Sequence, residues 1–221
     1  MFKELKRQAS VSFDLCAAGP VLVSSGTSNK TNPTLPDNTF MRGYSGKDHE
    51  ENYVIPGSTI KGVIRHYLED NMMLNETEAQ TLFGKINNSA QKSKIKFSDA
   101  YADKYTVVSS IRHSTAIDPR VQSAKGGTLN NMEVVEQGVF KASFSIRNFT
   151  DSEMEKLLIA LFDINSGAVR FGGRKSRGFG QMKTENFVLT SFDGYDESLN
   201  KKNEKSFDDI EKAIEYFRGV K

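Results

Sequence analysis

Val11, Phe13 and Leu15 alternate with polar positions, and this two-residue period predicts a strand over residues 11–18. Val21-Leu22-Val23 extends or re-pairs that strand. The pattern then lapses over residues 24–52, a polar stretch rich in Gly, Pro, Asn, Ser and Thr. An unstructured connection of that length is uncommon in a compact domain and points to a functional loop or to disorder. Pro56-Gly57-Ser58 is a helix start with Ser58 as the expected N-cap, and Ile60, Val63, Ile64 and Leu68 recur on one helical face. Lys61 and Arg65, four residues apart, share a face near that start. A second helical segment is expected over residues 76–83, stopping at Gly84.

Ile95-Lys96-Phe97 reads as a strand and residues 105–111 as another extended piece. Residues 112–136 form a second irregular region containing Asp118-Pro119 and Gly126-Gly127. Phe140, Ala142, Phe144 and Ile146 then alternate along a strand over residues 138–147. Thr150-Asp151-Ser152-Glu153 is a capping box that opens a helix burying Met154, Leu157, Leu158, Leu161 and Phe162. A glycine-rich basic loop spans residues 167–180, and residues 181–190 close as a strand. The order strand, helix, strand, strand, helix, strand is that of a ferredoxin-like (RRM-like) α+β palm, an antiparallel sheet with its helices on one face. Residues 191–221 read as a charged C-terminal tail with a helix over 207–217.

Composition explains part of this pattern. Only 37% of the 221 residues are hydrophobic while 26% are charged, so the core is economical and the polar insertions are large. The 15 Phe and 7 Tyr still supply enough apolar bulk to exclude a wholly disordered chain. Cys16 is the single cysteine, which excludes intrachain disulfides and cysteine-based zinc sites. The longest apolar run, residues 157–162, is too short to span a bilayer. MFKELKRQAS lacks the apolar core of a secretory signal, so the expected location is the cytoplasm, away from membranes.

The net charge of +2 conceals an uneven distribution. Residues 168–184 hold Arg170, Arg174, Lys175, Arg177 and Lys183 with no acid, whereas residues 191–221 hold eight acids against six bases. Cations interleaved with glycines suit phosphate contact. The loop is no nucleotide-triphosphate cradle, because Arg174 separates Gly173 from Lys175 and no helix follows. Arg177-Gly178-Phe179-Gly180 imitates an RNA-recognition signature, but Gln181-Met182-Lys183 lacks its aromatic positions. His49, His66 and His113 are scattered without zinc-ligand spacing. The functional readings are RNA contact for His113, beside Arg112, and assistance to proton transfer for His49, in the Asp37 loop, but a plain surface position is the expectation for all three.

Four ordered features carry a resemblance to the RAMP (repeat-associated mysterious protein) superfamily of CRISPR effector subunits. They are Ile55-Pro56-Gly57-Ser58-Thr59-Ile60-Lys61-Gly62 continuing to Arg65, and Leu82-Phe83-Gly84 before a strand. Ile117-Asp118-Pro119-Arg120 then leads to Glu133 and Val139-Phe140, and Arg170-Phe171-Gly172-Gly173 runs through Gly178-Phe179-Gly180. The chain most resembles the backbone subunit of type III effector complexes.

That resemblance implies a ferredoxin-like domain over residues 1–190, with a catalytic-loop candidate at 24–52 and a thumb candidate at 112–136. It implies a guide (CRISPR) RNA held between copies of the subunit and other effector subunits, with a target single-stranded RNA paired to it. In this family a loop aspartate cuts the target with a divalent metal, expected to be Mg²⁺. Leu35-Pro36-Asp37-Asn38-Thr39-Phe40-Met41-Arg42 is similar to that loop, with Thr39 where the family often has proline. Asp37 is therefore the expected catalytic and metal-holding residue, either positioning a hydrated ion or acting as base. The expected RNA ligands are Ser58, Lys61, Arg65, Arg112, Arg120, Arg170, Arg174, Lys175 and Arg177. Leu129 and Met132 of the thumb candidate either wedge against bases or anchor it to the palm. The alternatives are a non-catalytic backbone subunit and a stand-alone RNA-binding module.

Overall fold

The computed structural model describes residues 4–28, 35–44, 50–85 and 91–219. Strands β1 (Gln8–Ala17), β2 (Ser24–Ser28), β3 (Asn38–Phe40), β4 (Arg42–Tyr44) and β5 (Glu51–Ile55) precede helices α1 (Gly57–Asp70) and α2 (Glu76–Phe83). Next come β6 (Ile95–Phe97), β7 (Ala100–Ala102), β8 (Val108–Ser114), β9 (Ile117–Asp118), β10 (Ser123–Ala124), β11 (Asn130–Gln137) and β12 (Val139–Arg147). The chain continues through α3 (Asp151–Asn165), β13 (Met182–Phe192), β14 (Lys205–Phe207) and α4 (Ile210–Arg218).

The main sheet is antiparallel, and its centre runs β13-β1-β12, with β6 and β7 both pairing β12. Taken with α1 between β1 and β6 and α3 between β12 and β13, this is the ferredoxin-like arrangement. Alternation decides which side of the sheet is dry. Val11, Phe13 and Leu15 of β1 and Phe140, Phe144 and Ile146 of β12 enter one core with Ile60, Ile64 and Leu68 of α1 and Leu157, Leu161 and Ile164 of α3. Thr150 and Glu153 form the expected reciprocal capping box on α3, and Asn75 with Glu78 forms a second one on α2. The opposite face carries Ser10, Ser12, Ser143, Ser145 and Thr190 in place of the stacking aromatics of an RNA-recognition motif.

Three segments differ from their sequence patterns. The polar stretch over residues 24–52 contains β2, β3, β4 and the start of β5 among its described residues. The region 112–136 belongs to a long hairpin in which β8 and β11 pair antiparallel, with β9 and β10 near its tip. β3 pairs parallel with β11, so the two insertions build one second sheet in the order β2-β3-β11-β8. Short polar strands of this kind obtain their order from pairing, which local periodicity does not register. The C-terminal segment is part of the palm: β14 joins the sheet edge beside β13, and Phe217 of α4 is buried between Phe149 and Phe207.

Candidate nucleic-acid interface

The start of β11 gathers residues from four distant stretches of chain. Immediately before β3, Asp37 accepts a hydrogen bond at Oδ2 from the Asn131 amide, 2.7 Å away. The next residue, Asn38, donates from Nδ2 to Asn130 Oδ1 at 3.1 Å. Adjacent residues thus engage adjacent residues. His113 lies directly across from Asn131 in the β8–β11 pair, with Nδ1 2.7 Å from Asn131 Oδ1. Asp37 and His113 are thus both tied to Asn131, the first to its amide and the second to its side chain.

Arg174 reaches the neighbouring pair of the hairpin, Asn130 and Ser114. Its Nη1 donates to Ser114 Oγ at 3.0 Å and its Nη2 to Asn130 Oδ1 at 3.2 Å. The glycines explain how it gets there. Gly172 has φ 76°, and a Cβ added to it would stand 2.1 Å from the Leu22 carbonyl oxygen. Gly180, φ 84°, would meet the Phe171 carbonyl oxygen at the same distance. Both residues are needed for close backbone approach, and Arg174 itself adopts φ 57° as the chain turns toward the hairpin. At these two positions the motif is packing chemistry.

Glu133, two residues further along β11, holds the catalytic-loop candidate in place. With 9% of its surface exposed, it accepts from the Phe40 amide (3.1 Å), from Tyr53 Oη (2.8 Å) and from Arg42 Nη2. Burial works against the Arg42 charge, but Glu133 outweighs it and keeps the guanidinium above its ordinary value. Arg42, the basic end of the loop pattern, is thus committed to protein, and its guanidinium also lies 4.6 Å from the Tyr53 ring centroid. Sequence reasoning used Glu133 only as a landmark. Its place between Met132 and Val134-Val135 is the signal that could have marked it, since an acid buried among apolar residues needs partners.

The expected RNA ligands fall into separate clusters. Ser58, Lys61 and Arg65 line a groove of about 720 Å³ between α1 and α2, together with Lys85, Gln91 and Ser93. Ser58 is exposed but does not cap: Pro56 holds the N-cap position, and Asp99 accepts from the Gly57 amide at 2.8 Å. Lys61 lies 3.3 Å from Ser93 Oγ, and burial followed by the Arg65 charge pushes its pKa down. Arg65 is paired with Glu69 at 3.0 Å. A second groove, about 380 Å³, joins Arg170 and Lys175 to His66 and Tyr67 of α1. Arg170 there donates to the carbonyls of Gly167 (3.2 Å) and Lys175 (3.4 Å). The side chains of Lys175 and Arg177 are exposed on a short turn.

On the hairpin, Arg112 makes a bidentate pair with Glu136 (2.8 and 2.9 Å) and lies 5.7 Å from the Phe179 ring centroid. Arg120 is exposed near the tip, where its amide donates to Asp118. Met132 is 2% exposed and packs with Leu22, Val134 and Phe179, so it anchors the hairpin to the palm, whereas Leu129 is 63% exposed. His49 lies outside the described residues.

A divalent ion would find a sparse donor set. Among the described residues no three His, Cys, Asp or Glu side chains converge. Asp37 Oδ2 is taken by the Asn131 amide, leaving Oδ1. One carboxylate oxygen fits Mg²⁺, which retains several waters and completes its shell from substrate phosphates.

No helix of the described residues is long and apolar enough to cross a membrane. Comparison with protein-family models matches residues 34–183 to the RAMP superfamily. The matched span runs from just before Asp37 through α1, the hairpin and the glycine loop to the start of β13. Comparison with curated proteins finds no match.

Proposed function

The chain belongs to the RAMP superfamily, whose members act in CRISPR RNA–protein complexes, and on that premise we propose that it is a type III backbone subunit that holds guide RNA and cuts the paired target RNA. The observation that carries this reading is the Asp37 carboxylate, fixed by the Asn131 amide at the junction of two insertions, with its other oxygen unpartnered among the described residues. RNA contains its own nucleophile, so the protein need only orient the 2′-hydroxyl in line with the adjacent phosphate and manage proton and charge. Asp37 takes the 2′-hydroxyl proton, the 2′-oxygen attacks phosphorus, and the bond to the 5′-oxygen breaks. The products are a 2′,3′-cyclic phosphate and a 5′-hydroxyl. In the alternative role, the second Asp37 oxygen would hold a hydrated Mg²⁺, which would supply positive charge beside the scissile phosphate.

Guide-RNA phosphates lie against Ser58, Lys61 and Arg65 on one side and Arg170, Lys175 and Arg177 on another, with Arg112 and Arg120 adding contacts on the hairpin that Arg174 braces. Further copies of the chain and other effector subunits complete the assembly. Substituting Asp37→Ala in an assembled, guide-loaded complex tests the reading: target cutting stops while guide and target remain bound. A second reading, a backbone subunit that binds without cutting, is favoured by the structural use of Asp37 Oδ2. Under it, Asp37→Ala leaves cutting unchanged.

A further inference from the structure

We infer that His113 is the general acid of the proposed cleavage, donating a proton to the departing 5′-oxygen while Asp37 acts on the 2′-hydroxyl. The inference rests on the cleavage reading above and extends it to a residue on the opposite side of β11.

Three observations carry it. The first is register: His113 pairs with Asn131 across β8–β11, and directly opposed residues project from the same face of the sheet. Asp37 approaches the same residue from the β3 side, through the Asn131 amide. The sheet order β3-β11-β8 places the two groups on either side of one strand, with backbones about 10 Å apart at two strand spacings. Side chains inclined inward from that separation flank a phosphodiester, one near each of the two oxygens that exchange protons.

The second observation is orientation. With Asn131 Oδ1 accepting from Nδ1–H, the ring is held and Nε2 is left to carry the exchangeable proton. The third is what surrounds the ring. His113 is exposed, and no carboxylate pairs with it among the described residues. The cations nearest in sequence and register are turned away, Arg112 to Glu136 and Arg174 to Ser114 and Asn130 on the other face. Arg174 thereby fixes the β8–β11 pair from behind, without competing for the proton acceptor.

The step balances. Asp37 gains the 2′-hydroxyl proton, the new bond from the 2′-oxygen to phosphorus replaces the bond to the 5′-oxygen, and imidazolium returns one proton to that oxygen. Neutral His113 and protonated Asp37 then reset by exchange with water.

The test is a substrate that needs no acid. In the assembled complex with guide RNA, cleavage is timed for ordinary target RNA and for a target whose scissile 5′-oxygen is replaced by sulfur, a leaving group that departs as thiolate. His113→Ala should slow the ordinary target by about 10²-fold or more and cut the sulfur-bridged target at close to the unsubstituted complex's rate. His113→Gln, which keeps a polar partner for Asn131, should behave as His113→Ala does. Asp37→Ala should be slow on both substrates. If His113→Ala cuts ordinary RNA at the unsubstituted rate, or stays slow on both substrates, His113 is not the acid while the cleavage reading stands. If Asp37→Ala cuts both normally, the cleavage reading falls and the inference falls with it.

Discussion

Arg174 of the glycine loop and Asn130 of β11 are joined by a 3.2 Å hydrogen bond to Asn130 Oδ1, and that same oxygen accepts from Asn38. One side-chain amide therefore ties three segments together: the loop before β13, the hairpin and the Asp37 strand. The most basic-looking motif of the chain spends its central arginine on structure.

This separates Arg174 from its neighbours in a salt titration. Each phosphate contact contributes about 0.7–0.9 to the slope of log affinity against log salt. Removing Lys175 and Arg177 together should lower that slope for guide RNA by about 1.5. Arg174→Ala should leave the slope unchanged and lower unfolding stability by about 1–2 kcal/mol, because a charge-assisted bond is lost. Fluorescence binding across salt concentrations and urea denaturation read the two effects independently.

The glycines of the loop are also unequal. Gly172→Ala forces a Cβ to within 2.1 Å of the Leu22 carbonyl oxygen, so the backbone has to move. Gly178, φ 86°, has nothing within 4 Å of an added Cβ, so Gly178→Ala bears only the left-handed strain. That strain is about 1–2 kcal/mol. Thermal denaturation should rank Gly172→Ala well below Gly178→Ala, and only the former should displace Arg174.

Acid should loosen the hairpin. The Arg112 hydrogen bond, opposed by desolvation and assisted by Ser110, holds the Glu136 carboxyl below its ordinary value. A carboxyl depressed in the folded state stabilises fully above its unfolded pKa of about 4.3 and loses that contribution as pH falls through the folded value. Urea midpoints of the unsubstituted protein and Glu136→Gln should therefore differ at pH 7 and converge toward pH 3.

The C-terminal helix should be indispensable. Phe217 is 4% exposed, and the Arg7 guanidinium lies 4.6 Å from the Phe149 ring centroid and 5.4 Å from that of Phe217. Phe217→Ala should cost about 3–5 kcal/mol, the usual toll for emptying a buried aromatic site. A fall in the denaturation midpoint without change in residual RNA affinity would fit this role.

The palm was legible because its elements repeat. Phe140, Ala142, Phe144 and Ile146 alternate, and Ile60, Ile64 and Leu68 keep helical spacing, so period alone identified β12 and α1. The second sheet was not legible, since Asn38-Thr39-Phe40 is ordered by Met132 and Glu133 from far along the chain. Long-range pairing leaves no local period. In the C-terminal segment the helix expected over 207–217 is present as α4, but its docking was not legible: β14 and α4 bring Phe207 and Phe217 together at the palm. Ser58 misled because Ser commonly caps helices, whereas here Asp99 supplies the acceptor from outside the helix. Asp37 was visible as part of a loop pattern, but its relation to Asn131 and His113 exists only in the folded sheet.

The central claim is that the charge of Asp37 does the cutting, and Asp37→Asn isolates it. Asparagine keeps a side-chain oxygen for the Asn131 amide and so preserves the strand junction while removing the carboxylate. Target-RNA cleavage should be timed in guide-loaded complexes assembled with the unsubstituted and the substituted chain, with target binding measured alongside. The account predicts equal binding and a loss of cleavage of about 10²-fold or more. Cleavage by the asparagine variant at the unsubstituted rate would contradict it.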